Sequence, residues 1–200
     1  MSLVNPLGDG PAVLVTAVGE AEGSRGVAAA LACAGADADV PALLVDVGGR
    51  TPRPTLIASA AARELEERLA AHLPQAKGAA RGQVCHLAVP ADDGWFDAAS
   101  AALTVARGTT AVIHLPPGML QVALDERARL GSPGVLLRAD LKSDRALVAL
   151  TVRDLIERGI PAAVFKHRLN WVAERRALFG VLPPGELPER LVRRLIGGAE

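Results

Sequence analysis

Short apolar runs alternate along the chain with longer alanine-rich or amphipathic stretches. Runs that are apolar throughout, rather than at every second position, are typical of strands covered on both faces. Six such runs are present: Ala12–Ala17, Pro41–Val47, Val84–Val89, Thr110–Leu115, Gly134–Ala139 and Ala162–Lys166. Strands that alternate with helices pair in parallel through right-handed crossovers. The pattern therefore predicts an α/β fold, a three-layer α/β/α sandwich around a mostly parallel sheet.

The segments between these runs show helical periodicity. Within residues 54–73, apolar side chains recur every four positions and so share one face of a helix. They are Ile57, Ala61, Leu65, Leu69 and Leu73. The other predicted helices are Arg25–Ala34, Trp95–Ala106, Met119–Leu130, Ser143–Arg158, a stretch around Trp171–Leu178 and Leu187–Ile196. With no internal repeat or long linker, we expect one domain over residues 1–200, with residues 1–11 disordered.

Composition narrows the classes of function. Half of the 200 residues are apolar and the formal net charge is zero, so bulk charge does not favour a nucleic-acid partner. We expect a protein of the reducing cytoplasm, because two cysteines, Cys33 and Cys85, accompany no secretory segment and no apolar run of membrane-spanning length. The four histidines show no metal-ligand spacing with these cysteines or with one another, and no metal site is predicted.

Two residue types are scarce enough to limit catalysis. The chain has no tyrosine and only three lysines, Lys77, Lys142 and Lys166. Tyrosine-dependent catalysis is therefore excluded. Lysine-dependent catalysis could use only one of these three residues.

The loop after the first apolar run carries glycines that suit an anion site. Gly19, Gly23 and Gly26 stand where the first strand meets the first helix. Backbone N–H groups at such a junction can converge on an anion at the helix N-terminus. Tight packing of the strand against the helix explains the same three glycines equally well.

Two known loop patterns come close to this segment. In the P-loop pattern G-x-x-x-x-G-K-[ST], Ser24 stands at the lysine and Arg25 at the magnesium-holding hydroxyl residue, so the pattern is not intact. In a dinucleotide-binding pattern, Asp46 ends the second strand 20 residues beyond Gly26, where a ribose-binding carboxylate would lie. The glycine spacing differs from the short-chain dehydrogenase pattern. That family's tyrosine is also missing.

Taken in order, the segments resemble the MinD/ParA-type P-loop ATPases from about Ala12 to Leu195. The strand, deviant P-loop and helix of that family correspond to VLVTAVGEAEGSRGVAAALA, and its aspartate-bearing strand to LLVDVGG. The turn that senses the γ-phosphate corresponds to AVIHLPPGM, the helix and strand before the adenine contact to RDLIERGIPAAVFKHRL, and the closing segment to LFGVLPPGELPERLV.

The resemblance also shows which family groups are replaced. The signature lysine matches Gly19 and the P-loop lysine matches Ser24. The first aspartate is kept as Asp46, the second matches Gly48, and the aspartate of the γ-phosphate turn matches His114. The adenine-contacting asparagine matches Lys166 or His167. Because these groups supply nearly all the electrostatic stabilisation of phosphoryl transfer, ATP hydrolysis is not expected.

The leading hypothesis is a catalytically degenerate MinD/ParA-like protein, comparable to TadZ/CpaE-type proteins, that acts as a scaffold, positioning or assembly factor through a protein partner or as a homodimer. Its vestigial anion or nucleotide site would comprise Gly19, Gly23, Ser24, Arg25, Gly26, Asp46 and His114. We expect no catalytic residue and no cofactor. The alternatives are a nucleotide-binding switch without hydrolysis and an NAD(P)-type dinucleotide-binding enzyme.

Several residues allow two interpretations each. His114 could act as a general base, but filling a vacated metal position is favoured. Arg25 could hold a phosphate, but a surface ion pair is the commoner arrangement. Ser24 lacks a G-x-S-x-G elbow and a defensible Ser/His/Asp order, so a hydrolase is disfavoured. The basic amphipathic segment Leu187–Ile196 could touch a membrane, but packing on the sheet is favoured.

Overall fold

One seven-stranded sheet organises the computed structural model, which describes residues 12–18, 23–36, 40–50, 57–139 and 143–166. The strands are β1 (Ala12–Ala17), β2 (Ala42–Val47), β3 (Lys77–Arg81), β4 (Val84–Val89), β5 (Thr110–His114), β6 (Gly134–Ala139) and β7 (Ala162–Lys166). Their order is β3-β4-β2-β5-β1-β6-β7. Neighbouring strands run parallel except β3 and β4, which are antiparallel.

Helices cover both faces of this sheet. They are α1 (Ser24–Gly35), α2 (Ala60–His72), α3 (Trp95–Val105), α4 (Leu120–Asp125) and α5 (Arg145–Glu157). The alanine-rich α1 packs on one face, where its buried residues meet Val15, Leu44 and Val112. Side chains of α2, α3, α4 and α5 belong to the core on the opposite face. The predicted three-layer α/β/α sandwich with a mostly parallel sheet is confirmed.

The six predicted strands are present to within a residue at each end, but β3 was missed. Its sequence KGAAR lacks the β-branched residues and the unbroken apolar run by which buried strands are recognised. It lies at the sheet edge and pairs only with β4, through a tight turn in which Gly82 has a φ of 56°. An edge strand needs less apolar surface, so its pattern is weak.

Two predicted helices are shorter than expected. Helix α2 begins at Ala60 because the Ser59 side chain caps it by accepting a hydrogen bond from the Ala62 backbone N–H. Ile57 therefore lies outside the helix and is 83% exposed, so its assignment to the buried face was wrong. The predicted helix 119–130 divides into α4 and a separate 3-10 turn over Arg127–Leu130.

Other predictions fall outside the residues that the structure describes. These are the expected disorder of residues 1–11, the helix around Trp171–Leu178 and the amphipathic segment Leu187–Ile196. In the described part of the chain, no helix combines the length and apolarity that crossing a bilayer requires.

The buried face of α2 gives a direct test of the packing. Leu65 is fully buried against the sheet, whereas Leu150 on α5 is 62% exposed. We expect Leu65→Ala to lower the free energy of unfolding by about 2–5 kcal/mol, because it removes buried methyl groups and leaves a cavity. Leu150→Ala, the matched control, should change it by less than about 0.5 kcal/mol. Denaturant unfolding followed by circular dichroism measures both. Equal effects would contradict the placement of α2.

Candidate functional site

Polar side chains gather where β1, β2 and β5 end at the carboxyl edge of the sheet. Asp46 near the end of β2 and His114 at the end of β5 are direct register partners. Both project to the α1 side of the sheet, because they alternate with residues that belong to the opposite core. Ser24 is the first residue of α1 and lies over them. Three separate elements thus bring three predicted site residues together.

These three residues form one buried hydrogen-bonded chain. Ser24 Oγ lies 3.0 Å from His114 Nε2, and His114 Nδ1 lies 2.8 Å from Asp46 Oδ1. Ser24, His114 and Asp46 are 6%, 4% and 1% exposed. The serine, the imidazole and the carboxylate are therefore linked in that order. Sequence reasoning placed each of them at this edge but missed their contacts with one another.

The Asp46 carboxylate has two further neighbours, Arg25 and His86. Arg25 Nε donates to it at 3.0 Å, and Arg25 Nη2 donates to the Gly48 carbonyl at 3.3 Å. His86 Nε2 lies 3.4 Å from Asp46 Oδ2, an ion-pair distance. An ion pair was favoured for Arg25 from the sequence, and Arg25 makes one with Asp46. The pair is not a surface pair at both ends, because the Asp46 carboxylate is buried.

These neighbours determine the ionisation of Asp46. Burial alone would raise the pKa of this carboxyl. The contacts from His114 and His86, together with the charges of His114 and Arg25, outweigh burial and hold the pKa of Asp46 well below its usual range. The carboxylate is therefore ionised at neutral pH.

An ionised Asp46 determines which nitrogen of His114 carries a proton. A carboxylate can only accept hydrogen bonds, so Nδ1 of His114 must donate to it. In the neutral imidazole, Nε2 is then the acceptor, and the Ser24 hydroxyl donates its proton to Nε2. We assign this tautomer from the hydrogen-bond partners.

The glycines of the predicted loop are used locally in different ways. Gly23 precedes α1 with a φ of 89°, a left-handed conformation that glycine adopts without strain. Gly26 is buried in the first turn of α1. Gly19 lies outside the described residues.

Two residues near Asp46 were not predicted. His86 projects from β4, the strand beside β2, on the same face as Asp46 and His114. Its signal was its alternation with Cys85 and Leu87, which point to the opposite core. Gly49 was also missed: a Cβ there would collide with the Asp46 carboxylate, so only glycine fits.

A lysine beside Asp46 could balance the charge of a phosphate, so the positions of the three lysines matter for phosphate binding. Lys77 is exposed at the start of the edge strand β3, two strands away from β2. Lys166 ends β7 at the opposite edge, and Lys142 and His167 lie outside the described residues.

In the described part of the chain, no cluster of His, Cys, Asp or Glu side chains has the geometry of a metal site.

The architecture matches a known class of structures. A search of solved structures finds a ParA family ATPase from Chlorobium tepidum TLS, with a TM-score of 0.50 and 15% sequence identity. The alignment covers 94% of this chain and 89% of that chain. No protein-family model and no curated protein matches the sequence. At this identity the likeness shows the fold, which is the α/β fold of the P-loop, ParA-like proteins.

Gly49 tests how tightly the backbone encloses Asp46. We expect Gly49→Ala to lower the free energy of unfolding by about 1–3 kcal/mol, because the new Cβ forces the carboxylate off its partners. Gly78→Ala on β3 is the control, since a Cβ there meets its nearest atom, on Leu87, at 3.5 Å. Thermal or denaturant unfolding compares them. A Gly49→Ala protein as stable as Gly78→Ala would contradict this geometry.

Asp46 also predicts a pH dependence of stability. Its folded pKa lies below its ordinary value of 3.8, so its contribution is complete above about pH 4 and is lost as the pH falls further. Asp46→Asn should cost about 3 kcal/mol at pH 6, and the difference from the native protein should shrink at pH 3. Asp125→Asn, at an exposed surface pair, should change little at either pH. A constant Asp46→Asn difference between pH 6 and pH 3 would contradict the assignment.

Proposed function

We propose that this protein is a ParA/MinD-like protein that hydrolyses no nucleotide and acts in the cytoplasm as a scaffold, positioning or assembly factor. One observation carries the proposal. The residues at the positions of the P-loop lysine and the γ-phosphate aspartate, Ser24 and His114, are hydrogen-bonded to each other. Asp46, at the conserved aspartate position, completes the same chain.

The electrostatics of this edge do not suit a magnesium–nucleotide. Ser24 is neutral and cannot replace the lysine that balances phosphate charge. Asp46, at the position of the family's first aspartate, is already bonded to Arg25 and His114. Arg25 is in turn held by Asp46 and the Gly48 carbonyl. A nucleotide at this edge would have to compete with these existing contacts.

A ParA-like fold without these groups retains its surfaces but not its hydrolytic cycle. We infer that its role is to contact another protein or a second copy of itself, in the manner of the TadZ/CpaE-type proteins with which it was compared. That comparison is an analogy of fold. Arg25 supports one competing candidate, a switch that binds a nucleotide without hydrolysing it, because its guanidinium stands at the N-terminus of α1.

Ligand binding separates these candidates. The full chain is titrated with ATP, ADP, GTP, NAD and NADP, each with magnesium, while thermal unfolding and phosphate release are followed. We expect no shift in melting temperature and no phosphate release, because the anion contacts are already satisfied within the protein. A shift of several degrees with ATP or GTP that Arg25→Gln abolishes would favour the switch. A shift with NAD or NADP would favour the dinucleotide-binding enzyme.

Self-association of the chain and its binding to other proteins can be measured directly. Light scattering and sedimentation over a wide concentration range should give a mass above that of the 20.6 kDa chain, in the absence of nucleotide. The same preparations serve as bait for proteins from the source organism. A chain that stays monomeric at high concentration and retains no partner would overturn the scaffold proposal.

A further inference from the structure

We propose that Ser24 is a nucleophile activated by His114 and Asp46, and that this site transfers the acyl group of small activated esters or thioesters to water. This activity goes beyond the scaffold role, since it uses no nucleotide. It rests on a serine that contacts a buried histidine, which itself contacts a buried carboxylate.

The order and distances are those that a serine nucleophile requires. A base must lie within about 2.6–3.2 Å of the hydroxyl, and a third group must orient the base. Ser24 Oγ to His114 Nε2 is 3.0 Å, and His114 Nδ1 to Asp46 Oδ1 is 2.8 Å. The chain order Ser, Asp, His was not recognised as meaningful from the sequence, but the contacts now give it the order of the α/β-hydrolases; the G-x-S-x-G elbow is absent.

The proton positions also agree with this role. The ionised Asp46 fixes the Nδ1 proton of His114 and leaves the lone pair of Nε2 toward Ser24. Nε2 is thus ready to accept the serine proton without a ring flip. Arg25 donates to the same carboxylate, so Asp46 is shared between the imidazole and the guanidinium. We therefore expect modest turnover rather than rapid hydrolysis.

The start of α1 supplies donors for the developing negative charge. Ser24, Arg25 and Gly26 form its first turn, and intrahelical bonding begins with Val27 N–H to the Gly23 carbonyl at 3.1 Å. First-turn N–H groups have no acceptor within their helix. In a strand-to-helix nucleophile site, the N–H of the residue after the serine serves the oxyanion, and here that residue is Arg25.

The reaction is balanced without a cofactor. Ser24 Oγ attacks the acyl carbon while its proton moves to His114 Nε2, giving a tetrahedral oxyanion. Its collapse expels an alcohol or thiol, which takes the proton from Nε2 and leaves an acyl ester on Oγ. Water then attacks that ester, giving its proton to Nε2, and the carboxylic acid leaves as Oγ is protonated again. Because Ser24 is only 6% exposed, we expect small acyl donors rather than folded protein substrates.

A fluorophosphonate probe tests the nucleophile on the full chain. We expect one adduct, located on Ser24 by peptide mass spectrometry, and slow release of p-nitrophenol from p-nitrophenyl acetate. Ser100→Ala is the matched control, since that half-buried hydroxyl donates to the Arg129 carbonyl, and it should label normally. Ser24→Ala should abolish both signals. His114→Gln should slow labelling at least about 100-fold. No adduct on Ser24, or labelling that His114→Gln leaves unchanged, would overturn the proposal.

Labelling of His114→Gln could be slow simply because that variant does not fold. A second pair of variants, with cysteine at position 24, therefore tests the role of His114 separately. Circular dichroism first checks that each variant is folded. In Ser24→Cys, iodoacetamide should alkylate residue 24 at least about 10-fold faster than in Ser24→Cys/His114→Gln, because the imidazole and the helix N-terminus favour the thiolate. Background from the native thiols is low: burial raises the pKa of Cys33, and burial with the nearby Glu66 charge raises the pKa of Cys85 to about 12. Equal rates in the two folded variants would show that His114 does not activate this position and would reject the proposal.

Discussion

The arrangement of the candidate site depends on a buried carboxylate that must be compensated. Asp46 is 1% exposed, and an ionised group at such a depth is tolerated only when several donors surround it. Its donors come from two different elements, Arg25 from α1 and His114 from β5, and His86 from β4 lies 3.4 Å away. Each of these elements packs against β2 or lies beside it in the sheet. The charge of Asp46 therefore links the first helix to the centre of the sheet, and Gly49 leaves the space in which it can do so.

The same constraint explains the other replacements at this edge. In a ParA-type site, the resemblance implies a lysine at position 24 and an aspartate at position 114, which would be balanced by phosphate and magnesium. In this chain a histidine at 114 donates a hydrogen bond to Asp46, and a serine at 24 is short enough to reach that histidine at 3.0 Å. The substitutions are mutually consistent. A lysine at 24 would add a second cationic group beside Arg25, with one carboxylate to share.

Sequence patterns predicted the fold better than the site, and the reasons are physical. Buried parallel strands have apolar runs that are visible in one dimension, so six of seven strands and their crossovers could be predicted. The edge strand β3, with small and charged residues, carries no such signal. The site residues were found because strand ends and glycine loops mark the carboxyl edge of a sheet. Their contacts depend on which face each side chain takes and on the register of β2 with β5, and neither can be read from one sequence without strand boundaries accurate to a residue.

Removal of the Ser24 hydroxyl distinguishes a purely structural hydrogen-bond network from a reactive one. Removing Asp46 or His114 leaves buried charged partners without compensation, so stability and chemistry would fall together. Ser24 is the terminal member of the chain, and its removal leaves His114 bonded to Asp46 and Asp46 bonded to Arg25. A neutral hydroxyl contributes only about 1 kcal/mol to such a network. If the serine is present solely for packing, its loss should be almost silent; if it is a nucleophile, its loss removes all covalent chemistry while the fold remains.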